Sequence, residues 1–366
     1  MGLSEERRAR LDAAMDQAGL DALLVYGNGW QCDYLRYLSD FGILEGQGFA
    51  LVTRDGSVTL LLDSAVEAER AEIECTGIEI AWSPEILAAL EERLTRLGNR
   101  KLALAPYRLA PQALVEKFGA GKLGDGTGLI DRLLMHKSAG EVEAVRRAAR
   151  LADEGYAIFR DSAKPGRFDY EMIAEAEAFF RSRGCPDNFQ IIGCGGVEVR
   201  GMAPPQGKKM KKGDLVTTEL TPCVDGYYAQ ICRTLVLGKP SEAQLEAFAV
   251  YREALEAGIA AVKPGARAAD VARAENEVFR KYGLGEYVTS AYTRVRGHGI
   301  GLFVDTPPHI LEDVETELVP GMTIIVHPNT YHPEVGYLVL GDSVVVTDSG
   351  CEVLCQVPRE LFAVGR

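Results

Sequence analysis

The sequence predicts an α+β protein in two parts, a smaller α/β domain over residues 1–128 and a larger domain over residues 129–366 that contains one structural unit twice. Three observations carry this reading. Strand-like and helix-like stretches alternate as far as about residue 125, a glycine-rich run occupies residues 121–128, and a pattern in the second part recurs at a fixed interval.

Residues 5–18 read as a surface helix and residues 21–26 as a buried strand, because the apolar run there is continuous. Residues 49–63 read as a hairpin about Asp55-Gly56, a pair that supplies the positive φ angles of a tight turn. Helices near 64–73, 84–97 and 111–118 interleave with strands at 78–82 and 101–105. Beyond the glycine-rich run, Ser138 and Glu141 form a capping box, each side chain satisfying an orphan N–H, and open a long helix that runs to about residue 162.

The repeat follows. Lys164, Pro165 and Gly166 recur as Lys263, Pro264 and Gly265, Phe180 and Arg181 as Phe279 and Arg280, and Gly184 as Gly283, all at an offset of 99. Each copy reads as a helix end, a Pro-Gly turn and a second helix closed by glycine. A duplicated unit places its site where the two copies face each other.

The formal net charge of −13 argues against a general nucleic-acid binder. No apolar run approaches the ~20 residues of a membrane span. The charged first ten residues lack the apolar stretch of a secretory signal. Eight cysteines without a CxxC pair read as reduced thiols of a cytoplasmic protein. The expected partner is a small-molecule substrate, with neither nucleic acid nor membrane.

The histidines are His136, His298, His309, His327 and His332, and four of the five fall between 298 and 332. Glycines at 297, 299 and 301 suggest that His298 is exposed at a turn. They do not form a dinucleotide fingerprint. His327 closes a β-branched strand over residues 323–326 and precedes Pro328, which stops the ladder. Glu219 reads as an acid near the far end of a strand that starts at Leu215, with Gln230 on the return strand. Two imidazoles and one carboxylate are enough to hold one divalent ion with open positions. A strand-end histidine paired with a neighbour is the plainer structural alternative. Cys194, beside glycines, is a candidate nucleophile, with a buried thiol at a strand end as its plainer reading.

A set of motifs adds to this. Arg132, His136-Lys137-Ser138 and Glu141 are followed by Gly213-Asp214-Leu215-Val216, Gly226-Tyr227-Tyr228, Arg233-Thr234, residues 297–301, Pro320-Gly321-Met322 and Gly350. In this combination the chain resembles the pita-bread family of creatinase, aminopeptidase P and prolidase. Residues 1–125, including Tyr34 to Leu38, are similar to that family's N-terminal domain. The resemblance implies a pseudo-twofold pita-bread domain, and a homodimer in which residues 34–41 and 44–47 reach toward the other subunit's site. The metal-dependent members carry two aspartates, a histidine and two glutamates as ligands. Of these the resemblance keeps His298. It puts Glu219 and Gln230 at the aspartate positions and His327 at the first glutamate. Gly341 stands at the last, or Asp342 if the alignment slips by one residue. Asp305 stands where the metallopeptidases place a second histidine, Met202 where creatinase keeps its general base, and Cys232 where creatinase uses a glutamate. Methionine does not transfer a proton, so neither family mechanism carries over intact.

The reading that follows is an enzyme with a rebuilt site, cleaving a C–N bond in a small amide, urea or amino-acid-like substrate. Glu219, His298 and His327 are the expected catalytic residues, and Gln230, Met202, Tyr228, Arg200, Arg296 and Asp305 the substrate-contacting ones. Arg200, Arg296 and Tyr228 are candidates for holding a carboxylate, with a surface or scaffold role as the plainer reading of each. Glu219, His298 and His327 would take one divalent transition metal, Zn, Fe or Mn. A metal-free site would use the imidazoles as acid and base, with Glu219 orienting them. A mononuclear iron oxygenase or lyase on the same fold is a second reading, and a non-catalytic module that binds peptide or protein a third. Convergence of titratable groups in one pocket separates the enzymes from the module.

Overall fold

The structure is a computed structural model that describes residues 5–118, 123–293 and 295–365, and structural counts and absences refer to these residues. Gly121 and Lys122 of the glycine-rich run lie outside them. The chain divides into two compact units, Met1–Leu134 and Met135–Arg366. The expected division at 128/129 and this one both fall within the helix Thr127–Met135.

In the first unit, strands β1 (Ala22–Asn28), β2 (Gln47–Thr53), β3 (Val58–Leu62), β4 (Glu79–Trp82), β5 (Leu102–Ala105) and β6 (Leu123–Asp125) form one sheet in the order β4-β3-β2-β1-β5-β6. The apolar β1 lies centrally, antiparallel to β2 and parallel to β5, buried on both faces as its unbroken hydrophobicity requires. In the β2–β3 turn only Gly56 takes a left-handed φ, +93°. Asp55 instead accepts a hydrogen bond from the Ser57 backbone N–H at 3.1 Å, so its carboxylate, not a positive φ, shapes the turn.

The second unit shows the duplication directly. Helix Ala139–Ser162 leads through residues 163–168 to helix Asp169–Ser182, and helix Glu242–Ala261 leads in the same way to helix Ala268–Lys281. Gly166 and Gly265 take φ values of +91° and +82° in the two turns, and Gly184 and Gly283 close the second helices at +79° and +73°. Phe180 and Phe279, equivalent in the repeat, are fully buried. The Ser138–Glu141 capping box is present, and the second copy opens on its own box, Ser241 with Gln244.

The strands of this unit are β7 (Asn188–Gly195), β8 (Leu215–Val224), β9 (Tyr227–Tyr228), β10 (Ile231–Leu237), β11 (Gly297–Gly299), β12 (Thr306–His309), β13 (Thr323–Val326), β14 (Thr330–His332), β15 (Gly336–Leu338), β16 (Gly341–Val346), β17 (Cys351–Val353) and β18 (Phe362–Val364). The main sheet runs β12-β11-β13-β16-β10-β8-β7, with β9, β17 and β18 added at its flanks, while β14 and β15 form a separate hairpin. The halves meet where β10 pairs with β16, over only two register positions, Ile231 with Asp342 and Cys232 with Gly341. Val216, Leu220, Ile231 and Leu235 pack under the first helix pair, and Ile324, Val326 and Val344 under the second. One face of the sheet is thereby committed to the helices.

At the seam the helix-side face carries an ion pair. Arg233 donates to Asp342 Oδ1 at 2.7 Å and to the carbonyls of Cys232, Gly341 and Val357, and Arg359 donates to Asp342 Oδ2 at 2.7 Å. Removing one partner of such a buried pair strands the other charge. Asp342→Ala is expected to lower stability by about 3–5 kcal/mol, measured by urea unfolding of the full chain. A change within ~0.5 kcal/mol, the size of an ordinary surface substitution, would show that the pair does not hold the seam.

Candidate active site

The opposite face of the seam carries the candidate residues, and strand register decides which. Glu219 stands directly opposite Cys232, Cys232 opposite Gly341, and His298 opposite Ile325, itself opposite Ser343. Opposed residues point to the same face, as do residues two apart on a strand. Glu219, Cys232, Gly341, His298 and His327 therefore share one face. Asp342 lies on the other with Arg233, so of residues 341 and 342 it is Gly341 that faces the site.

His298 and His327 adjoin, with ring centroids 5.4 Å apart and planes at 67°. His298 is buried on β11, not exposed at a turn. The flanking glycines serve close packing: a Cβ at Gly299 would lie 2.2 Å from the Pro307 carbonyl oxygen. Its Nδ1 sits 2.9 Å from the Gly299 carbonyl and 3.9 Å from Asp305 Oδ1. His327 follows β13 as its sequence suggests, with its N–H bonded to the Arg296 carbonyl at 3.0 Å. Its Nδ1 is buried without a hydrogen-bond partner among the described residues. Burial first, then repulsion from His298, pushes the His327 pKa down to about 3, so the ring is neutral.

Glu219 sits in the middle of β8, not at its far end. Its Oε1 accepts a 2.9 Å hydrogen bond from Asn329, whose own Oδ1 accepts from the Leu340 N–H at 3.1 Å. Burial pushes the Glu219 carboxyl up to about 7, hydrogen bonds from Cys232 and Asn329 pull against that rise, and Asp305 adds to it. Gln230 precedes β10; its Nε2 reaches Cys232 Sγ at 3.4 Å and its N–H bonds Ser343 Oγ at 2.9 Å.

The remaining candidates divide. Met202 and Tyr337 are half-buried and pack on a small cluster of Cys232, Ile325 and Val339. Asp305 accepts from His309 Nε2 at 3.0 Å. Arg200 is exposed, its guanidinium 4.0 Å above the Tyr331 ring. Tyr228 has its hydroxyl on Asp187 and packs in the core of the first half. Arg296 is buried against Phe279 and reaches the Asn329 carbonyl at 3.4 Å. Expected as carboxylate holders, Tyr228 and Arg296 instead brace the structure. Cys194 ends β7 and donates to Asp214 at 3.7 Å; burial pushes its thiol up to about 12, so it is the plain buried thiol.

Asn329 was not visible as a site residue. Its only signal is its place two residues after His327, across Pro328; there the chain turns, the Asn329 N–H bonding the His327 carbonyl at 2.7 Å, rather than continuing the strand.

Residues 143–348 match metallopeptidase family M24, and residues 7–135 match the creatinase/prolidase N-terminal domain. The chain belongs to this family of creatinase, aminopeptidase P and prolidase, with the pita-bread fold in its C-terminal part. It is 30% identical to an Xaa-Pro dipeptidase of Pyrococcus furiosus, over 98% of this chain and all of that one. It is 27% identical to a creatinase of a Bacillus species, over 96% of this chain and 90% of the other. The solved Xaa-Pro dipeptidase of Bacillus anthracis superposes with a TM-score of 0.86 at 26% identity, covering 98% of this chain and 99% of that one.

The family name implies a metal, and the side chains present do not fit the family's centre. Gln230 and Gly341 supply no carboxylate. A Cβ at residue 341 would lie 2.6 Å from His327 Cβ, so a glutamate has no room beside this histidine. Among the described residues no three His, Cys, Asp or Glu side chains are grouped to hold a metal ion, and the expected Glu219, His298 and His327 set does not close into one.

The neutral His327 has a consequence for acid stability. Its folded pKa is depressed below the ordinary 6.5, so its contribution is full above pH 6.5 and is lost as pH falls toward about 3. Between pH 7 and 4 the wild type should lose on the order of 3 kcal/mol that His327→Asn does not lose, seen as a flatter fall of Tm in the variant. Parallel Tm curves would show that His327 titrates normally.

Proposed function

We propose that this protein is a hydrolase that cleaves a C–N bond in a small amide, urea or amino-acid-like substrate by the acid–base chemistry of Glu219, His298 and His327, without the family's dinuclear metal. The observation that carries this is Glu219. It is a buried carboxyl held by Asn329 and raised to about 7, on the same face as two adjoining imidazoles. A carboxyl with that pKa is half ionised at neutral pH and suited to take and return a proton. The Xaa-Pro dipeptidase and creatinase relatives support hydrolysis as the reaction class. Replacement of the family's ligands by Gln230, Gly341 and His327 supports a changed mechanism.

In this reading the neutral His327, with its unpartnered Nδ1, and His298, oriented from its Gly299 side, meet the substrate's polar atoms. Met202 and Tyr337 form the apolar wall. Arg200, exposed and stacked on Tyr331, receives a substrate carboxylate. The protein acts as a homodimer in the cytoplasm. Support for that compartment comes from its eight free thiols, and no helix among the described residues is long and apolar enough to cross a membrane.

The test is turnover of a panel of Xaa-Pro dipeptides, small amides, ureas and creatine by protein purified without chelators. Activity should rise with pH through about 7 as Glu219 ionises, and Glu219→Gln should lose about 100-fold or more in kcat. A flat pH profile, or a Glu219→Gln variant as active as wild type, would remove Glu219 from the mechanism.

Metal dependence is tested separately. Dialysis against a chelator is expected to leave the rate within twofold. A rate abolished by the chelator and restored by Zn, Fe or Mn, with about one equivalent of that metal in the wild type and none in His327→Ala, would replace this reading with a mononuclear metal enzyme.

A further inference from the structure

The proposed hydrolysis leaves the amine side of the cleaved bond unidentified. Resting on that reading, we propose that Arg200, Tyr287, Tyr292 and Tyr331 form a subsite for an amino acid with an aromatic side chain. The substrate is then the N-acyl form of such an amino acid, with its carboxylate free.

The subsite is assembled from three segments of the second unit. Tyr331 lies on β14, Tyr287 and Tyr292 on and just after the short helical turn Gly285–Val288, and Arg200 in the segment that follows β7. Tyr292 and Tyr331 stack with ring centroids 6.1 Å apart and planes at 21°. Tyr287 meets Tyr292 edge-on at 4.9 Å and tilts against Tyr331 at 5.8 Å. The segments are tied together beneath the rings. The Thr330 hydroxyl donates to the Tyr287 carbonyl, and the Tyr331 hydroxyl donates to the Val197 carbonyl at 2.9 Å.

Arg200 gives the group its charge. It is exposed, and its guanidinium lies 4.0 Å from the Tyr331 ring centroid. Its side chain makes no ion pair or hydrogen bond among the described residues. Glu198, the nearest acid in the sequence, is engaged by Lys208 at 2.9 Å instead. The tyrosine ring fixes the plane of the guanidinium and leaves its N–H edge for a carboxylate in bidentate contact.

One tyrosine under an arginine would serve any carboxylate. Tyr287 and Tyr292 add the choice of side chain. Both are half-buried, so each ring keeps surface open to a ligand. Rings pack on rings edge-on or offset with a gain that an aliphatic group of the same area lacks.

The subsite adjoins the groups that carry the chemistry. Tyr331 stands directly opposite Tyr337 on the β14–β15 hairpin, so the two share a face. Tyr337 and Met202 pack on Cys232, Ile325 and Val339, and Cys232 stands opposite Glu219. The Tyr337 N–H bonds the Val199 carbonyl at 3.1 Å, one residue before Arg200. Met202, Tyr337 and Tyr331 thus form a continuous wall between Glu219 and Arg200. A substrate laid along it has its carboxylate on Arg200, its ring on the tyrosines and its amide toward Glu219. Water then gives its hydroxyl to the carbonyl carbon as the C–N bond breaks, and its other proton goes to the departing nitrogen. The products are a carboxylic acid and the free aromatic amino acid.

Binding of that product tests the subsite without requiring turnover. The full chain is titrated calorimetrically with L-phenylalanine, L-alanine and phenethylamine, the last lacking the carboxylate. L-phenylalanine is expected to bind about tenfold or more tighter than either. Arg200→Gln should weaken it by a similar factor, and Tyr292→Leu should bring it close to L-alanine, with an unchanged Tm showing that both variants fold. Equal binding of L-phenylalanine and L-alanine, or an Arg200→Gln variant that binds as wild type, would overturn the subsite. Turnover separates this proposal from the hydrolase reading. N-acetyl-L-phenylalanine should exceed N-acetyl-L-alanine by about tenfold or more in kcat/KM, and Arg200→Gln should raise KM while kcat stays within about twofold. Hydrolysis of the substrate panel without this preference would overturn the subsite and leave the hydrolase reading standing. Selective L-phenylalanine binding with no turnover of any amide would sustain the subsite and end the hydrolase reading.

Discussion

The buried ion pair between Arg233 and Asp342 holds the two halves of the second unit in register, and the geometry of the site follows from that register. The halves share only two positions of strand pairing, too few to resist a slip through backbone hydrogen bonds alone. A one-residue slip would turn every side chain of a strand to the opposite face. It would carry Asp342 toward Cys232 and leave Arg233 buried with no counter-charge, which is why the ion pair specifies register as well as adding stability. Arg359 binds the second carboxylate oxygen and completes the neutralisation.

With the register set, the sheet sorts residues by parity. Arg233, Asp342, Val326 and Val344 face the helices. Cys232, Glu219, Gly341, His298 and His327 face the site. Residues of this second group constrain one another by packing. His327 Cβ approaches Gly341 so closely that the family's glutamate has no room there. Asn329, two residues beyond His327, takes the Glu219 carboxyl and the Leu340 N–H together. The segment that follows His327 thus supplies the amide that orients the Glu219 carboxyl. Low dielectric makes these groups interact strongly, and it also gives Glu219 and His327 their displaced pKa values in opposite directions.

Much of the fold was legible because its signals are local. The capping box at Ser138, the Pro-Gly turns at 165–166 and 264–265, and the C-terminal glycines 184 and 283 each report a backbone need met within a few residues. Their recurrence at one offset revealed the duplication. The Ser241–Gln244 box carries the same kind of local signal at the head of the second helix pair. Within the site, His327 at a strand end was readable from the β-branched run before it and the proline after it. His298 was misjudged because glycine is ambiguous. It marks a turn when its φ is used and close packing when its missing Cβ is used, and Gly299 is the second case. Arg296 and Tyr228 were misassigned because a sequence shows that a group can bind a carboxylate, not that Phe279, Asn329 or Asp187 already engages it.

The sequence by itself determined the family, the two-part organisation and the internal repeat, because these are matters of residue identity and spacing along one strand or helix. Only the tertiary structure decided that residue 341 and not 342 faces the site, that Glu219 leans on Asn329, that Cys232 lies beside Glu219, and that Met202 packs on the small cluster of Cys232, Ile325 and Val339. The first two depend on pairing between segments more than a hundred residues apart, Arg233 with Asp342 and Glu219 with Asn329, and the third on the register of β8 against β10. Such pairing is governed by strand register and buried charge, which no local pattern encodes.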